Sequence, residues 1–271
     1  PRIEPRNQTC VASGSSLTHV VGMECSGQIS MTGFVKGRYR AAIATTLQEV
    51  SQAQDLRGIC FDLTGKDSDP FDDACAHVLI WRCDDNTLVS CFRMFPLDGT
   101  TIGSSYSAQY YELDRLAGFK GRMVELGRFC IHPKEQDPDI LRVAWAAMTA
   151  YVDENDVKLL FGCSSFAGVE TADYLDTFAM LRDRHLAPKK WLPKIKAPDV
   201  FKFATKLCER PDAKKAMLRM PPLLRTYLLM GGWVSDHAVV DRHLNTMHVF
   251  TGVEIGRIPA TRKRLLRAVI G

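Results

Sequence analysis

No apolar run in the 271 residues approaches the roughly 20 needed to cross a bilayer, so no spanning helix is expected. None of the nine cysteines stands in a C-x-x-C pair, which removes the spacing of a zinc ribbon. Their odd number and scattered positions suggest free, mostly buried thiols in a reducing compartment. There is no Walker loop and no G-x-G-x-x-G, so nucleotide binding has no support. Internal repeats and low-complexity tracts are absent. The first residues lack the pattern of a secretory leader, and a cytoplasmic location is expected. His237, His243 and His248 stand near Asp236 and Asp241, but at spacings that match no zinc motif, so no metal is expected. In Gly162-Cys163-Ser164-Ser165-Phe166 the serine lacks the glycine spacing of a nucleophile elbow. Cys163 reads as a small buried thiol rather than a nucleophile.

The composition, 46% hydrophobic and 24% charged, is that of an ordinary globular chain. Net charge is only +4, yet residues 181–225 hold 13 Lys/Arg against 4 Asp/Glu, which leaves −5 for the remainder. Such segregation suits an acidic partner or anionic surface, or simply a solvated face.

Residues 1–36 show little sustained periodicity and read as a tail, disordered by expectation. Alternation predicts a strand over 37–44, and Thr45 or Thr46 can cap a helix over 47–61 with Leu47, Val50, Gln54 and Ile59 on one face. Strands are predicted over 77–82 and 88–96, about the turn Asp84-Asp85-Asn86, and over 123–131. The clearest helix is 138–153, with Ile140, Leu141, Ala144, Trp145, Met148, Tyr151 and Val152 at helical spacing. A strand over 158–166 and a helix over 171–185 follow, then a helix over 221–230 and strands over 233–240 and 247–255. The order predicts an α/β fold with a mixed sheet flanked by helices. A basic amphipathic helix within 256–271 closes the chain as an extension.

Three segments carry candidate chemistry. Val124-Glu125-Leu126-Gly127-Arg128-Phe129-Cys130 is a strand with two charges in an apolar setting. Alternation puts Glu125, Gly127 and Phe129 on one face, and Leu126, Arg128 and Cys130 on the other. A buried glutamate is costly unless paired or functional, so it is either an ion pair with Arg93 or Arg57, or a working carboxylate. Asp69-Pro70-Phe71-Asp72-Asp73 reads as a solvated acidic turn. Arg93, mid-strand in Cys91-Phe92-Arg93-Met94, is paired or binds an anion.

Five separated strings resemble the ornithine lipid N-acyltransferases over about residues 37–255. They are Ser105-Tyr106-Ser107-Ala108-Gln109-Tyr110-Tyr111-Glu112-Leu113, Glu125 to Pro133, Leu160 to Phe166, Pro221-Pro222-Leu223-Leu224-Arg225-Thr226-Tyr227-Leu228, and Asp236 to Asp241 with Asn245-Thr246. That family lies in the GNAT superfamily and is related to the acyl-homoserine-lactone synthases. The resemblance implies a GNAT fold and transfer of a 3-hydroxyacyl group from acyl carrier protein to the α-amine of ornithine, giving lyso-ornithine lipid. In the related synthases the glutamate at the position of Glu125 is the proposed base, and Arg57, Phe61, Asp72 and Arg93 fall on an Arg, a Phe, an Asp and an Arg.

On that reading Glu125 takes the proton that an ammonium must lose before it attacks a thioester. Backbone amides near Gly127 and Phe129 hold the oxyanion. Asp72 holds the acceptor's amine, Arg93 or Arg57 its carboxylate, and Arg128, Ser164 and Ser165 complete the substrate-binding set. Coenzyme-A-using relatives keep a glycine-rich loop after this strand. Here the loop is His132-Pro133-Lys134-Glu135-Gln136-Asp137-Pro138, without glycine and acidic, which favours a carrier protein. Lys189, Lys190, Lys194 and Lys196 are the expected docking charges. The last helix, with Arg262, Lys263, Arg264 and Arg267 beside Leu265, Leu266 and Ile270, is a place for peripheral contact with anionic lipid, or an ordinary surface helix. No cofactor beyond the carrier's phosphopantetheine thioester is expected, and no nucleic acid. The alternatives are the same acylation of glutamine, lysine or glycine, homoserine-lactone synthesis, or a non-catalytic carrier- or lipid-binding module.

Overall fold

The computed structural model describes residues 33–268. Its strands are β1 (Phe34–Lys36), β2 (Tyr39–Ile43), β3 (Ala76–Arg82), β4 (Leu88–Leu97), β5 (Tyr111–Glu112), β6 (Arg122–Ile131), β7 (Val157–Ala167), β8 (Lys194–Ile195), β9 (Val200–Phe201), β10 (Trp233–Val234), β11 (Ala238–Asp241) and β12 (Thr246–Glu254). The helices are α1 (Leu47–Cys60), α2 (Pro138–Glu154), α3 (Leu175–Arg184), α4 (Phe203–Lys206), α5 (Ala213–Arg219), α6 (Pro222–Leu229) and α7 (Ala260–Ala268).

Among the described residues ten strands form one sheet in the order β1-β2-β3-β4-β6-β7-β12-β11-β9, with β10 also paired to β12. Among the described residues β6–β7 is the one parallel pair of that sheet, because a 17-residue helix, α2, carries the chain from one to the other. The mixed sheet expected from the sequence is therefore present. Helix α2 packs with Val78, Ile80, Val124 and Leu126. Helix α1 packs with Leu79, Trp81, Cys91 and Cys130. Since adjacent residues of a strand point to opposite faces, the two helices cover opposite sides of the sheet.

Several expectations are corrected by packing. Phe34–Lys36, placed with the tail, pairs antiparallel to β2, whereas residues 1–32, with Cys10 and Cys25, lie outside the described residues. Helix α1 starts at Thr46, which forms a capping box with Glu49. Its buried side is Ala53, Leu56, Arg57 and Gly58, while Leu47 and Ile59 are 88% and 56% exposed. The apolar spacing misled because the helix is anchored by a buried arginine rather than by a hydrophobic stripe. Residues 171–185 divide into a 3-10 turn and α3, and 233–240 divide into β10 and β11. No described helix is long and apolar enough to cross a membrane. Helix α7 leans on the fold, with Arg267 paired to Asp153 of α2 and Leu266 packed against the core. Leu265 is 58% exposed, and Ile270 lies outside the described residues.

Candidate active site

The site begins with an irregularity in β6. Between Cys91↔Cys130 and Arg93↔Gly127, two steps along β4 face three along β6, so one extra residue is inserted there. Arg128 sits at this bulge with φ +52°, in the left-handed region. The bulge resets the alternation. Phe129 turns to the α2 face and stacks on Phe92, while Cys130 joins Cys91 on the α1 face. Arg128 reaches Asp67 and Asp69. The expected split, with Phe129 on Glu125's face and Arg128 on the other, is thereby overturned.

The β6–β7 ladder ends at Glu125↔Phe161. Beyond that pair β6 stays with β4 and β7 with β12, and the two strands part. At the fork β7 carries Gly162, where a Cβ would run into the Leu126 carbonyl oxygen. A cavity of about 610 Å³ occupies the gap. Residues 125–129 line one side of it and 160–168 the other. Leu223, Leu224 and Tyr227 of α6 add an apolar wall.

Glu125 lines this cavity and is 4% exposed. It is in no ion pair among the described residues; Arg93 and Arg57 are engaged elsewhere. One carboxylate oxygen accepts the Tyr106 amide at 2.7 Å, and the other accepts the Ser107 amide at 2.7 Å and the Ser107 hydroxyl at 2.5 Å. These donors open a 3-10 turn (Ser107–Gln109), so the charge sits where unpaired amides converge. Burial holds Glu125 above the ordinary glutamate range, against the opposing pull of the Ser107 and Tyr106 bonds and the charge of Arg93. A buried carboxylate of raised affinity for protons, facing a cavity, is suited to deprotonate an ammonium.

The expected acidic turn is instead half of a buried network. Arg57 donates to Asp67 Oδ2 at 2.7 Å, to the Asp67 carbonyl, and to both Asp72 oxygens at 2.8 and 2.9 Å. Arg93 donates to Asp69 and Asp72 at 2.7 Å, and Arg128 to Asp67 and Asp69 at 2.8 and 3.0 Å. Three arginines and three aspartates thus cancel. Burial acts to raise the Asp72 carboxyl, but hydrogen bonds from Arg57 and Gln54 and the arginine charges hold it far below the usual range. Arg57 and Asp72, expected to grip the acceptor's carboxylate and amine, lie behind the cavity wall with their bonding groups committed to each other. The network's visible role is to fix the 67–72 segment and the bulged Arg128 beside Glu125. Arg93 and Arg128 do line the cavity, as do Gly127, Phe129, Ser164 and Ser165. Ser164 is tied to the Thr251 hydroxyl at 2.9 Å, whereas Ser165 is exposed.

Tyr106 and Ser107 belong to one of the family-like strings but carry no local sign of this task; a serine at the start of a short turn is a capping signal, yet its target is 18 residues away. Cys163, with its thiol 3.4 Å from the Ser107 hydroxyl, also lines the cavity. Burial and the nearby carboxylates push that thiol up to about 12, which leaves it inert. His248 lines the cavity too, and burial lowers it to about 4, so it is neutral. Among the described residues no group of three His, Cys, Asp or Glu is placed to hold a metal.

Residues 49–146 match the family model described as acetyltransferase (GNAT) domain. The L-ornithine N(alpha)-acyltransferase of Rhodobacter capsulatus is 30% identical over 229 residues, covering 78% of this chain and 88% of that protein. The chain belongs to this acyltransferase family. Acyltransferases of the same name from Brucella abortus and Rhizobium meliloti are each 27% identical, over 82% and 71% of this chain and 86% and 68% of their own. As a family member the chain is an N-acyltransferase of the GNAT fold, and the fork between β6 and β7 is its candidate active site.

Proposed function

We propose that this enzyme moves a 3-hydroxyacyl group from acyl carrier protein to the α-amine of ornithine, giving lyso-ornithine lipid and free carrier thiol. The observation that carries the reading is Glu125, a buried carboxylate held by Tyr106 and Ser107 at the head of the cavity. The α-ammonium gives a proton to Glu125, directly or through a water. The freed amine attacks the thioester carbon, and the carbonyl π electrons move to oxygen. Amides of Gly127 and Phe129, on the β6 side beyond the last ladder pair, are the proposed donors to that oxyanion. On collapse the C–S bond breaks, the thiolate takes the proton held by Glu125, and the carboxylate so freed accepts the remaining proton of the attacking nitrogen and passes it to solvent, leaving the neutral amide. Arg128, which lines the cavity, is the proposed partner of the acceptor's carboxylate, with Arg93 beside it.

The names of the relatives support ornithine as acceptor. The donor is supported by the start of α2, where the Asp137 side chain accepts the Asp139 amide and bonds Tyr39 and Arg38. A carboxylate thus sits where a pyrophosphate would need bare amides. The test is thiol release from 3-hydroxyacyl carrier protein with a panel of amino acids, the products identified by mass. N-acyl ornithine is expected. Acylation of glutamine, lysine or glycine in its place would rename the acceptor, and no release with any acceptor would overturn the reaction.

A further inference from the structure

Most of the lysines expected to receive a carrier protein already have partners. Lys194 pairs with Glu112, Lys196 donates to the Ala108 carbonyl at 2.6 Å, and Lys190 lies 4.6 Å over the Trp191 ring. The first two contacts brace the segment that carries Tyr106 and Ser107, which is a structural task, and the third is local.

Another part of the same basic region is unoccupied. From 210 to 225 five Lys/Arg stand against one acid. That acid, Asp212, is used internally, since its Oδ1 accepts the amides of Lys214 and Lys215 at the start of α5. Among the described residues no ion pair engages Lys214, Lys215, Arg219 or Arg225, and all four are exposed. Between these cations α5 presents Leu218, 82% exposed, and Met217, 38% exposed, while Ala216 and Met220 face the core. The chain then enters α6, whose inner residues Leu224 and Tyr227 line the cavity and whose outer side carries Arg225. Pro221, at the junction, lines the cavity as well. Arg225 thus lies on the outside of the wall whose inside is the active-site cavity, and α5, packed on α3, carries the other cations and the apolar tip next to it, joined through Pro221.

We infer that α5 and the start of α6 form the docking surface for the acidic acyl carrier protein, with Lys214, Lys215, Arg219 and Arg225 meeting its carboxylates around Leu218. The inference rests on the carrier-protein donor proposed above and names the surface it uses. Complementary charges around a small apolar anchor steer and orient a protein partner. A bilayer is the weaker fit, because a seven-residue helix with one highly exposed leucine has little apolar face to insert. From this surface the phosphopantetheine arm passes Pro221 into the cavity.

The experiment compares two donors, 3-hydroxyacyl carrier protein and 3-hydroxyacyl phosphopantetheine, in the wild type, Lys214→Glu/Lys215→Glu, Leu218→Ala, and Lys189→Glu/Lys190→Glu. The charge reversal at 214 and 215 is expected to raise KM for the carrier-protein donor about ten-fold or more, with kcat and the phosphopantetheine reaction unchanged, and added salt should narrow the gap. Leu218→Ala should raise the same KM several-fold, and the reversal at 189 and 190 less than two-fold. An unchanged KM in the 214/215 variant overturns the surface, as does a larger effect at 189 and 190. Loss of binding to phosphatidylglycerol vesicles with an unchanged carrier KM would also overturn it and assign the face to membrane. A wild type that turns over neither donor would sink the proposed reaction itself, which is a separate outcome.

Discussion

Ser107→Ala isolates the role of one hydrogen bond in setting the proton affinity of Glu125. The hydroxyl donates to Glu125 Oε1 at 2.5 Å, while the Ser107 and Tyr106 amides remain in place after the substitution. That bond favours the charged carboxylate, so its loss adds to the upward push of burial. A hydrogen bond to a charged group is worth about 1.5–3 kcal/mol, and one pH unit corresponds to about 1.4 kcal/mol. The acidic limb of kcat/KM should therefore move to higher pH by about one to two units. Above the shifted limb the rate should return to within a few-fold of wild type, because a stronger base is still in place. The assay is initial-rate thiol release across pH, paired with thermal denaturation to establish folding. Glu125→Gln, in the same assay, should lower turnover by about two orders of magnitude or more. A folded Ser107→Ala protein with an unmoved limb would refute the assignment of Glu125 as the titrating base, as would undiminished turnover in Glu125→Gln.

The rest of the site makes further demands on stability. Asp72→Asn leaves three arginines facing two aspartates, with Arg57 and Arg93 each losing one buried ion pair, and should cost about 3–5 kcal/mol at neutral pH by urea denaturation. Because the folded carboxyl is depressed, its contribution is fully present above its unfolded value of about 3.9 and is lost as pH falls toward the folded one. The difference between wild type and Asp72→Asn should accordingly shrink in acid, and a constant difference would remove Asp72 from the network. Arg128→Gly should be more stable than Arg128→Ala by about 1 kcal/mol, since both lose the ion pairs but only alanine keeps a Cβ at φ +52°; the reverse order would deny the bulge. Gly162→Ala should destabilise by roughly 1–3 kcal/mol through its clash with the Leu126 carbonyl, and full retention of melting temperature would argue against that close approach at the fork.

Much of the architecture is written locally. The 3.6-residue recurrence from Ile140 to Val152 specifies α2, the Thr46–Glu49 capping pair starts α1, and Asp85 and Asn86 mark the turn between β3 and β4. Glu125 is conspicuous from composition alone, since a carboxylate in an apolar strand needs an explanation. Each of these signals depends on neighbours a few residues apart.

What the sequence could not supply depends on distant pairing. The extra residue in β6 exists only relative to β4, and it reverses the faces of Arg128 and Phe129 that strict alternation assigns. The partners of Arg57 are 10 and 15 residues away and those of Arg128 about 60, so an acidic run that looks solvated becomes a buried network once α1, β4 and β6 meet. Sequence by itself determined the longer elements, the mixed sheet and the carboxylate, because periodicity and capping are local, whereas short pieces such as β1, β9 and α5 took shape only by packing. Only the tertiary structure decided where β6 and β7 part, which arginines face the cavity, and which lysines keep a free charge, because those follow from register and from the cost of burying charge unpaired.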